Sequence, residues 1–227
     1  MWPFKKHLNP YVIGNAVGNS AAFVGREDLL QDVRNVLQHS QQNAIVLYGQ
    51  RRIGKTSILK ELEAKLTDEG YLPIYFNLQD KGKLPLEKVN QELAKKISDK
   101  LNDQSQLALE DLLSNWNSPK TLVILFDEFE AFAGNNFQEQ QASQEFFPYW
   151  REIISKVDKT KLNFVFTLGR KVNELNPQAM SLLKDIPSKK VSLFDKKSTV
   201  RFSYKSNLDT NRWSSFIYTN IVLLYLA

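Results

Sequence analysis

The sequence predicts an α/β fold of three layers, in which helices cover both faces of a mainly parallel sheet of five strands. Two observations predict it. Short apolar runs alternate along the chain with longer segments whose apolar residues recur at helical spacing. One of these runs stops at a glycine and a helical pattern soon follows, as happens after a buried parallel strand. This alternation favours right-handed crossovers that return over the sheet.

The elements of the first half follow from local patterns. Residues 9–22 are rich in glycine, asparagine, serine and proline, and we expect residues 1–22 to form an extended lead-in. Residues 25–28 open a helical pattern with leucine and valine on one side. The apolar run Ala44–Tyr48 is predicted as a buried strand, and residues 55–67 as a helix, because apolar and charged residues alternate there at helical spacing. Residues 73–78 are predicted as the second strand.

The second half continues the alternation. Leu86–Leu101 is amphipathic and is predicted as a helix, and a further helix is predicted at residues 106–116. The most apolar segment of the chain, residues 121–126, is predicted as the third strand. The remaining predicted elements are helices at residues 144–157 and 177–184 and strands at Leu162–Leu168 and residues 190–194.

The composition limits the classes of function. The 227 residues are 42% hydrophobic, enough for one domain with a sizeable core, and the absence of cysteine excludes disulfides and thiolate chemistry. The formal charge of +5 is concentrated in residues 195–227, which hold five basic and two acidic side chains, so the charge makes no case for a nucleic-acid partner. The N-terminus has no secretory signal, and the apolar residues 216–227 are shorter than the roughly 20 residues of a spanning helix. We therefore expect a cytoplasmic protein without a membrane partner.

Residues 49–56 match the pattern G-x-x-x-x-G-K-[ST] at every specified position. The two glycines let the loop wrap so that backbone N–H groups point at phosphate oxygens, and the following helix adds its positive N-terminal end. Lys55 is then placed to reach the β- and γ-phosphates, and the Thr56 hydroxyl to ligate Mg²⁺. The loop binds through its backbone, so the side chains of Arg51 and Arg52 are expected to point away. The predicted nucleotide-binding residues are Gly49, Gln50, Arg51, Arg52, Ile53, Gly54, Lys55, Thr56 and Ser57.

The third predicted strand is followed by two acids, Asp127 and Glu128. A carboxylate at the carboxyl end of a buried strand lies beside the phosphate loop in such sheets, so Asp127 is placed to hold Mg²⁺ directly or through water. Glu128 is the natural general base for the attacking water. The alternative is a solvated turn after a core strand. The strand predicted at residues 73–78 lies between the loop and the acids in sequence, which suggests the ATPase branch of phosphate-loop proteins rather than the kinase or GTPase branch.

Four segments together carry a family resemblance. They are Asn9-Pro10-Tyr11, Phe23-Val-Gly-Arg-Glu27, the loop at residues 48–56, and Phe126-Asp-Glu-Phe129. They resemble the AAA+/STAND ATPases of bacteria and archaea, three-layer P-loop NTPases of the ASCE type, and within these the group similar to the origin-licensing ATPases. The resemblance covers about residues 9–194 and implies an ATPase domain at residues 23–194. The Val-Gly-Arg-Glu box makes it specific, because the loop alone is generic to P-loop proteins.

The resemblance implies further roles. Val24 and Gly25 look like the segment that lines the adenine pocket and Arg26 like its flanking charge, whereas by themselves these residues also fit the first turn of a helix. Asn77 matches the polar position that orients the catalytic glutamate in many AAA+ proteins, although a lone asparagine at a strand end is often a turn residue. Arg170 is similar to the arginine that follows a strand in STAND proteins and contacts the γ-phosphate, with a surface arginine as the alternative.

Two features depart from the family pattern. Residues 181–190 contain three lysines and no arginine where ring-forming AAA+ proteins place an arginine finger, which fits a STAND-like switch better than an obligate ring. Residues 195–227 resemble neither the helical lid nor the linker that follows in such ATPases, so we expect an atypical tail in place of the lid. Our hypothesis is a frameshifted or truncated reading frame from about residue 200. A genuine short protein with a hydrophobic C-terminal anchor is the alternative.

These observations lead to two hypotheses of function. In the first, the chain binds ATP with Mg²⁺ and hydrolyses it slowly, as a nucleotide switch in a larger signalling or defence-type assembly. In the second, it is a nucleotide-holding interaction module with little or no hydrolysis. Glu128 favours the first, and the missing lid and finger favour the second. The expected partners are ATP or ADP and an unknown protein or a second copy of the chain, whereas nucleic acid is not expected.

Overall fold

The computed structural model describes most of the central part of the chain. The described residues are 23, 25–38, 42–103, 107–133 and 137–193, with the backbone alone for residues 137–141. The predicted lead-in at residues 1–22, Val24 and the predicted tail at residues 195–227 lie outside the described residues. The domain boundaries given for the lead-in and the tail therefore stay predictions.

Five strands form one parallel sheet in the order β2-β3-β4-β1-β5. The predicted α/β class with a parallel five-stranded sheet is thereby confirmed. β4 lies between β1, which leads into the 49–56 loop, and β3, which ends in Asp127. The strands are β1 (Ala44–Tyr48), β2 (Leu72–Asn77), β3 (Leu122–Asp127), β4 (Leu162–Leu168) and β5 (Ser188–Lys190).

Helices connect the strands, as parallel pairing requires. The helices are α1 (Glu27–Leu37), α2 (Lys55–Asp68), α3 (Leu86–Leu101), α4 (Leu109–Ser114), α5 (Phe137–Lys156) and α6 (Pro177–Leu183), with 3₁₀ turns at Phe129–Phe132 and Val172–Glu174. In the described part of the chain, none of these helices has the length and apolar character needed to cross a membrane.

The fifth strand is the clearest correction to the predicted elements. We expected it at residues 190–194, but the structure has it at Ser188–Lys190. Its three residues are all exposed, and it pairs with β1 through its backbone, in the register Leu47 opposite Lys189. An exposed edge strand has no apolar face to bury, so the apolar pattern that revealed the other strands was missing here.

Two helices also differ in extent from their predictions. The helix expected at residues 106–116 is limited to Leu109–Ser114, and Trp116 lies beyond its end. The indole N–H of Trp116 donates to the Lys120 carbonyl at 2.9 Å, which fixes the turn into β3. α5 begins at Phe137 rather than near residue 144. The prediction missed the first residues of this helix because they are rich in glutamine and carry no apolar period.

The sheet has two unlike faces. α1 and α2 cover one face, where the contacts are mainly aliphatic and include Leu47, Ile58 and Val165. α3 to α6 pack over the other face, where aromatic rings fill the core. Phe126 lies at the centre of that core, with Phe166 stacked at 5.7 Å and Trp150 edge-on at 4.9 Å between ring centroids. Burial of each such ring stabilises the fold by about 1.5–3 kcal/mol, so this face holds the sheet rigid behind the site.

The site lies where the carboxyl ends of β1, β3 and β4 meet. The loop at residues 49–56 leaves β1, Asp127 ends β3, and Thr167 lies near the end of β4. Because side chains alternate along a strand, Asp127 and Thr167 project to the same face as Leu125 and Val165, which is the face covered by α2. The first turn of α2 is thereby placed directly over Asp127.

Candidate functional site

Each of the two fixed glycines of the 49–56 loop is required by the backbone, for a different reason. The N–H of Gly49 donates to the Leu168 carbonyl at 3.0 Å, and a Cβ at Gly49 would overlap the Val191 carbonyl oxygen. Gly54 has φ +99°, a left-handed backbone conformation that residues other than glycine rarely adopt. Both fixed glycines of the pattern are therefore required, one by close packing and one by its backbone angle.

The N-terminus of α2 presents free positive potential to the loop. Its N-cap is Gly54, which supplies no capping side chain, and no acid lies in its first turn. α1, in contrast, has Glu27 and Asp28 in its first turn. Since the first backbone N–H groups of a helix lack partners within it, the start of α2 is suited to an anion.

Lys55 is buried at the mouth of the loop, with 4% of its surface exposed. Its Nζ donates to the carbonyl oxygens of Gly49 at 3.0 Å and Gln50 at 3.1 Å. The ammonium is thus held against the inner wall of the loop, where a phosphate chain would be enclosed by the backbone.

The variable positions of the loop are arranged differently from its fixed ones. Gln50, Arg51 and Arg52 are exposed, and Arg52 has φ +64°.

Arg26 is buried, with 7% of its surface exposed, and its guanidinium donates to the Ile53 carbonyl at 3.2 Å. Arg26, which the resemblance places beside the adenine pocket, therefore braces the loop from the segment before α1.

Asp127 lies at the centre of a buried group of hydroxyls, with 1% of its surface exposed. Thr56 donates to its Oδ2 at 2.7 Å, and Tyr75 donates to the same oxygen at 2.9 Å. Thr167 donates to Oδ1 at 2.6 Å. Asp127 and these three hydroxyls, here called the Asp127 cluster, connect the loop helix α2 with β2, β3 and β4.

Glu128 follows in an unusual backbone conformation. It has φ 54° and ψ 45°, and its N–H donates to the Thr167 hydroxyl at 3.1 Å. A left-handed residue other than glycine costs of order 1 kcal/mol, and such residues concentrate at functional sites. The turn directs the chain away from β3 directly after Asp127 and leaves Glu128 half-buried.

Asn77 and Arg170 lie at the rim of the site. Asn77 pairs in register with Asp127 across β2 and β3, is exposed, and its Oδ1 accepts from the Gln79 N–H at 2.8 Å. The side-chain carbonyl oxygen of Asn77 therefore stabilises a local turn. Arg170 is exposed just beyond the end of β4, two residues after Leu168.

Two residues of the site were not predicted from the sequence. Tyr75 lies two residues before Asn77 on the same face of β2, and its only signal was that spacing. Burial raises the pKa of the Tyr75 hydroxyl well above its usual range, and the charge of Asp127 and its hydrogen bond add to the rise. A hydrogen bond with the Asn77 side chain acts in the opposite direction, but the net pKa is raised, so Tyr75 stays protonated and donates to Asp127.

Glu130 is the second missed residue. Its Oε1 accepts from the N–H of Gly169, the residue before Arg170, while Oε2 is buried and has no partner among the described residues. Burial raises the pKa of Glu130, and the negative charge of Glu128 adds to this, although backbone hydrogen bonds and Lys55 act in the opposite direction. Glu130 thus connects the turn after β3 with the end of β4.

The residues of the Asp127 cluster fit a magnesium ion. A hydroxyl and a carboxylate, the oxygen donors that Mg²⁺ prefers, lie 2.7 Å apart at Thr56 and Asp127. Among the described residues, no lysine or arginine forms an ion pair with the buried Asp127 carboxylate. A buried carboxylate that forms no ion pair is stabilised by a bound cation.

Comparison with known families gives one match over most of the chain. Residues 23–204 match a family described as an ATPase domain found predominantly in Archaea. No curated protein matches the chain at a significant level.

Solved structures share the fold at low sequence identity. The Orc1 protein of Aeropyrum pernix in complex with DNA matches with a TM-score of 0.55 and 16% identity, over 87% of this chain and 52% of that one. DnaA of Aquifex aeolicus with bound AMPPCP matches with a TM-score of 0.55 and 17% identity, over 90% and 57%. Domain III of DnaA from Thermotoga maritima matches with a TM-score of 0.51 and 17% identity, over 81% and 70%.

These matches bear on the fold and on the expected partners. The fold is that of AAA+ P-loop ATPases, as the resemblance implied. The chain spans about half the length of the Orc1 structure. Because that structure is a complex with DNA, the comparisons do not support our expectation that nucleic acid is not a partner.

Proposed function

The chain belongs to the family of ATPase domains found predominantly in Archaea, and from that premise we propose that it binds ATP with Mg²⁺ and hydrolyses it slowly. The nucleotide-binding residues are those of the 49–56 loop with Ser57, joined by Val24, Gly25 and Arg26. Thr56 and Asp127 hold the metal. Glu128 is the general base, Lys55 and Arg170 contact the phosphates, and Asn77 lies beside them.

The observation that carries this proposal is the contact between Thr56 and Asp127. It joins the first turn of the loop helix to the end of β3 at 2.7 Å, in a place where Asp127 is 1% exposed. A solvated turn after a core strand, the alternative for Asp127, would leave the carboxylate in water. A buried acid beside the loop's own threonine supports a metal–phosphate site instead.

Each group of residues has its own role in the proposed hydrolysis of ATP. The loop backbone and the N-terminus of α2 hold the phosphates, and Lys55 neutralises charge on the β- and γ-oxygens. Water attacks the γ-phosphorus and the bond to the bridging oxygen breaks, which gives ADP and phosphate. Glu128 accepts the proton of the attacking water. When bound, Mg²⁺ supplies positive charge that offsets the charge of the phosphates.

In this proposal Arg170 reports hydrolysis and Asn77 orients the catalytic Glu128. Arg170 is exposed at the end of β4, from which its long side chain can reach a γ-phosphate and respond to its loss. Asn77 pairs in register with Asp127, the residue before Glu128, which supports its role in orienting that glutamate. The position of the Arg170 side chain would then differ between the ATP-bound and ADP-bound states.

We place this ATPase in a switch rather than in an obligate ring. Residues 181–190 contain lysines and no arginine, so they lack the residue type that acts across a ring interface. The switch would act in a larger signalling or defence-type assembly, with an unidentified protein or a second copy of the chain as partner. The support for the assembly is the STAND resemblance alone.

The test is to measure ATP binding and single-turnover phosphate release by the purified protein with Mg²⁺. We expect Lys55→Ala to weaken ATP binding about tenfold or more, because hydrogen bonds to charged groups contribute about 1.5–3 kcal/mol. We expect Glu128→Gln to bind ATP normally and to lose about 100-fold or more in phosphate release. Lys156→Ala and Glu152→Gln, which alter an exposed ion pair on α5, serve as matched controls.

Each outcome separates the two hypotheses of function. Binding with slow release that Glu128→Gln abolishes supports an ATPase switch. Binding without release in the wild-type protein would replace it with a nucleotide-holding module. If the wild-type protein does not bind ATP, or if Lys55→Ala binds as well as Lys156→Ala, the proposal is wrong.

A further inference from the structure

Tyr75 contributes a hydroxyl to the Asp127 cluster from an edge of the sheet. β2 is the outermost strand on that side, and Tyr75 lies on its α2 face. Its hydroxyl donates to Asp127 Oδ2 at 2.9 Å, the same oxygen that accepts from Thr56 at 2.7 Å. A residue on the edge strand thereby reaches the acid at the end of its neighbour.

The ring of Tyr75 is held in place by more than apolar packing. The Nζ of Lys60, one turn into α2 from Thr56, lies 3.5 Å from the ring centroid, and the Nζ of Lys96 lies at 5.7 Å. Contacts between a cation and the face of an aromatic ring are favourable by about 0.5–2 kcal/mol. Lys60 therefore fixes the ring at a position where the hydroxyl meets Asp127.

The three hydroxyls are shared unequally between the two carboxylate oxygens of Asp127. Thr167 holds Oδ1, whereas Oδ2 depends on Thr56 and Tyr75. Thr56 is also the residue that would ligate the metal with its hydroxyl, so its geometry must satisfy both the ion and Asp127. Tyr75 is not expected to ligate the metal, so its O–H can donate to Oδ2 whether or not the metal is bound, and the Asn77 side chain is a second hydrogen-bond partner of this hydroxyl.

We propose that Tyr75 is a positioning residue that fixes the Asp127 carboxylate for the metal and so sets the Mg²⁺ concentration at which ATP binds tightly. This inference rests on the proposed function. Without the Tyr75 hydroxyl, Oδ2 is oriented by Thr56 alone and the carboxylate must be ordered when the metal arrives. Removing the outer partner of a metal ligand typically weakens metal affinity about 10–100-fold.

The experiment is a titration of Mg²⁺ against binding of a fluorescent ATP analogue, with a matching measurement in EDTA. Tyr75→Phe keeps the ring beneath Lys60 and removes only the hydroxyl. We expect its Mg²⁺ midpoint to rise about tenfold, while its ATP affinity in EDTA equals that of the wild-type protein. A purely structural role would change both affinities together, so the difference between them identifies positioning.

Tyr149→Phe is the matched control. The hydroxyl of Tyr149 is buried and has no hydrogen-bond partner among the described residues, and it lies on α5 on the opposite face of the sheet. Its loss should leave the Mg²⁺ midpoint unchanged. Lys60→Met, which removes the cation above the Tyr75 ring and keeps the hydroxyl, should raise the midpoint by a smaller factor, and it decides the matter if Tyr75→Phe fails to fold.

The outcomes distinguish this inference from the proposed function. If the wild-type protein binds ATP with a clear Mg²⁺ dependence and Tyr75→Phe has the wild-type midpoint, Tyr75 does not position Asp127 and the proposed function still stands. If a folded Tyr75→Phe loses affinity equally in EDTA and in Mg²⁺, its role is structural and the inference is overturned. If the wild-type protein shows no Mg²⁺-dependent binding, the proposed function fails and the inference fails with it.

Discussion

The two sides of the candidate site are built in different ways. On the metal side, Asp127 is 1% exposed and Thr167 is fully buried, and their hydroxyl–carboxylate contacts are between 2.6 and 2.9 Å. The sensor side, as it is called here, consists of two exposed residues that flank Asp127 at the rim: Asn77 at the end of β2 and Arg170 after β4. Asn77 uses its carbonyl oxygen for a local turn.

This difference follows from where the residues lie on the sheet. The metal side is formed by β2, β3, β4 and the first turn of α2, and hydrogen bonds to the buried Asp127 fix its side chains before any ligand arrives. Asn77 is the last residue of β2 and Arg170 lies two residues after β4, so both are exposed at the ends of strands rather than packed within the sheet. In the proposed function, the fold therefore prepares the metal side to bind, whereas Arg170 would be ordered by the ligand itself.

The largest loss of stability is expected for Gly49→Ala. The new Cβ would overlap the backbone oxygen of Val191, which cannot move without disturbing β5, so we expect a loss at or above the upper end of about 1–3 kcal/mol. Gly70→Ala is the control, because it meets no atom within 4 Å and adds only the strain of φ +89°, about 1–2 kcal/mol. Urea denaturation measures both. A smaller loss at Gly49 than at Gly70 would show that the loop yields easily and is not fixed by packing.

Thr167→Val should have the next largest effect. It removes the hydroxyl that donates to Asp127 and accepts from the Glu128 N–H, and both partners are left without it in a buried place. We expect a loss of about 1–3 kcal/mol in the free energy of unfolding. Thr121→Val, whose hydroxyl bonds the Thr160 carbonyl near the surface, should lose less than about 1 kcal/mol. Equal losses for the two variants would contradict a specially ordered metal side.

Glu130→Gln should have a smaller effect that depends on pH. The pKa of Glu130 is raised in the folded protein, so the charged form is disfavoured there and the protein loses stability as the pH rises above the usual range of a glutamate. Glutamine mimics the protonated acid and can still accept from the Gly169 N–H. The variant should therefore be more stable than the wild type at pH 8, with the difference shrinking towards pH 4. Thermal melts across this range measure it, and a difference that grows on acidification would reverse the sign of the argument.

Arg170→Ala should have the smallest effect on stability and a clear effect on turnover. Its side chain is exposed, so we expect a change within about 0.5 kcal/mol in the free energy of unfolding. ATP binding should change little, while phosphate release falls about tenfold or more, since the arginine acts on charge that develops late. Lys171→Ala, at the next exposed position, is the control. If Arg170→Ala lowers stability as much as Thr167→Val, the two sides of the site do not differ in the way described.

The sequence allowed the scaffold to be predicted better than the contacts within the site. The run Leu122–Asp127 is buried along its whole length, so its apolar character identified the strand and the acid at its end. The strand Ser188–Lys190 gave no such signal, because all three of its residues are exposed. Loop 49–56 was visible because its chemistry is local in sequence.

The contacts made by Tyr75 and Glu130 were not visible in the same way. Tyr75 meets Asp127 across two strands that are far apart in sequence, and a tyrosine in a strand is ordinarily explained by packing. Glu130 meets Gly169 only because the turn after β3 lies beside the end of β4. Such contacts depend on the register of the sheet, which apolar patterns do not specify between particular strands.

The most direct test of the account is a crystal structure of the protein with Mg²⁺ and a non-hydrolysable ATP analogue. The account predicts phosphates within the 49–56 loop, the metal at Thr56 and Asp127, and the Tyr75 and Thr167 contacts to Asp127 unchanged. It also predicts that Arg170 moves to the γ-phosphate. A nucleotide bound outside the loop, or an Asp127 side chain that has turned away from Tyr75 and Thr167, would contradict the claim that the fold builds the metal side in advance.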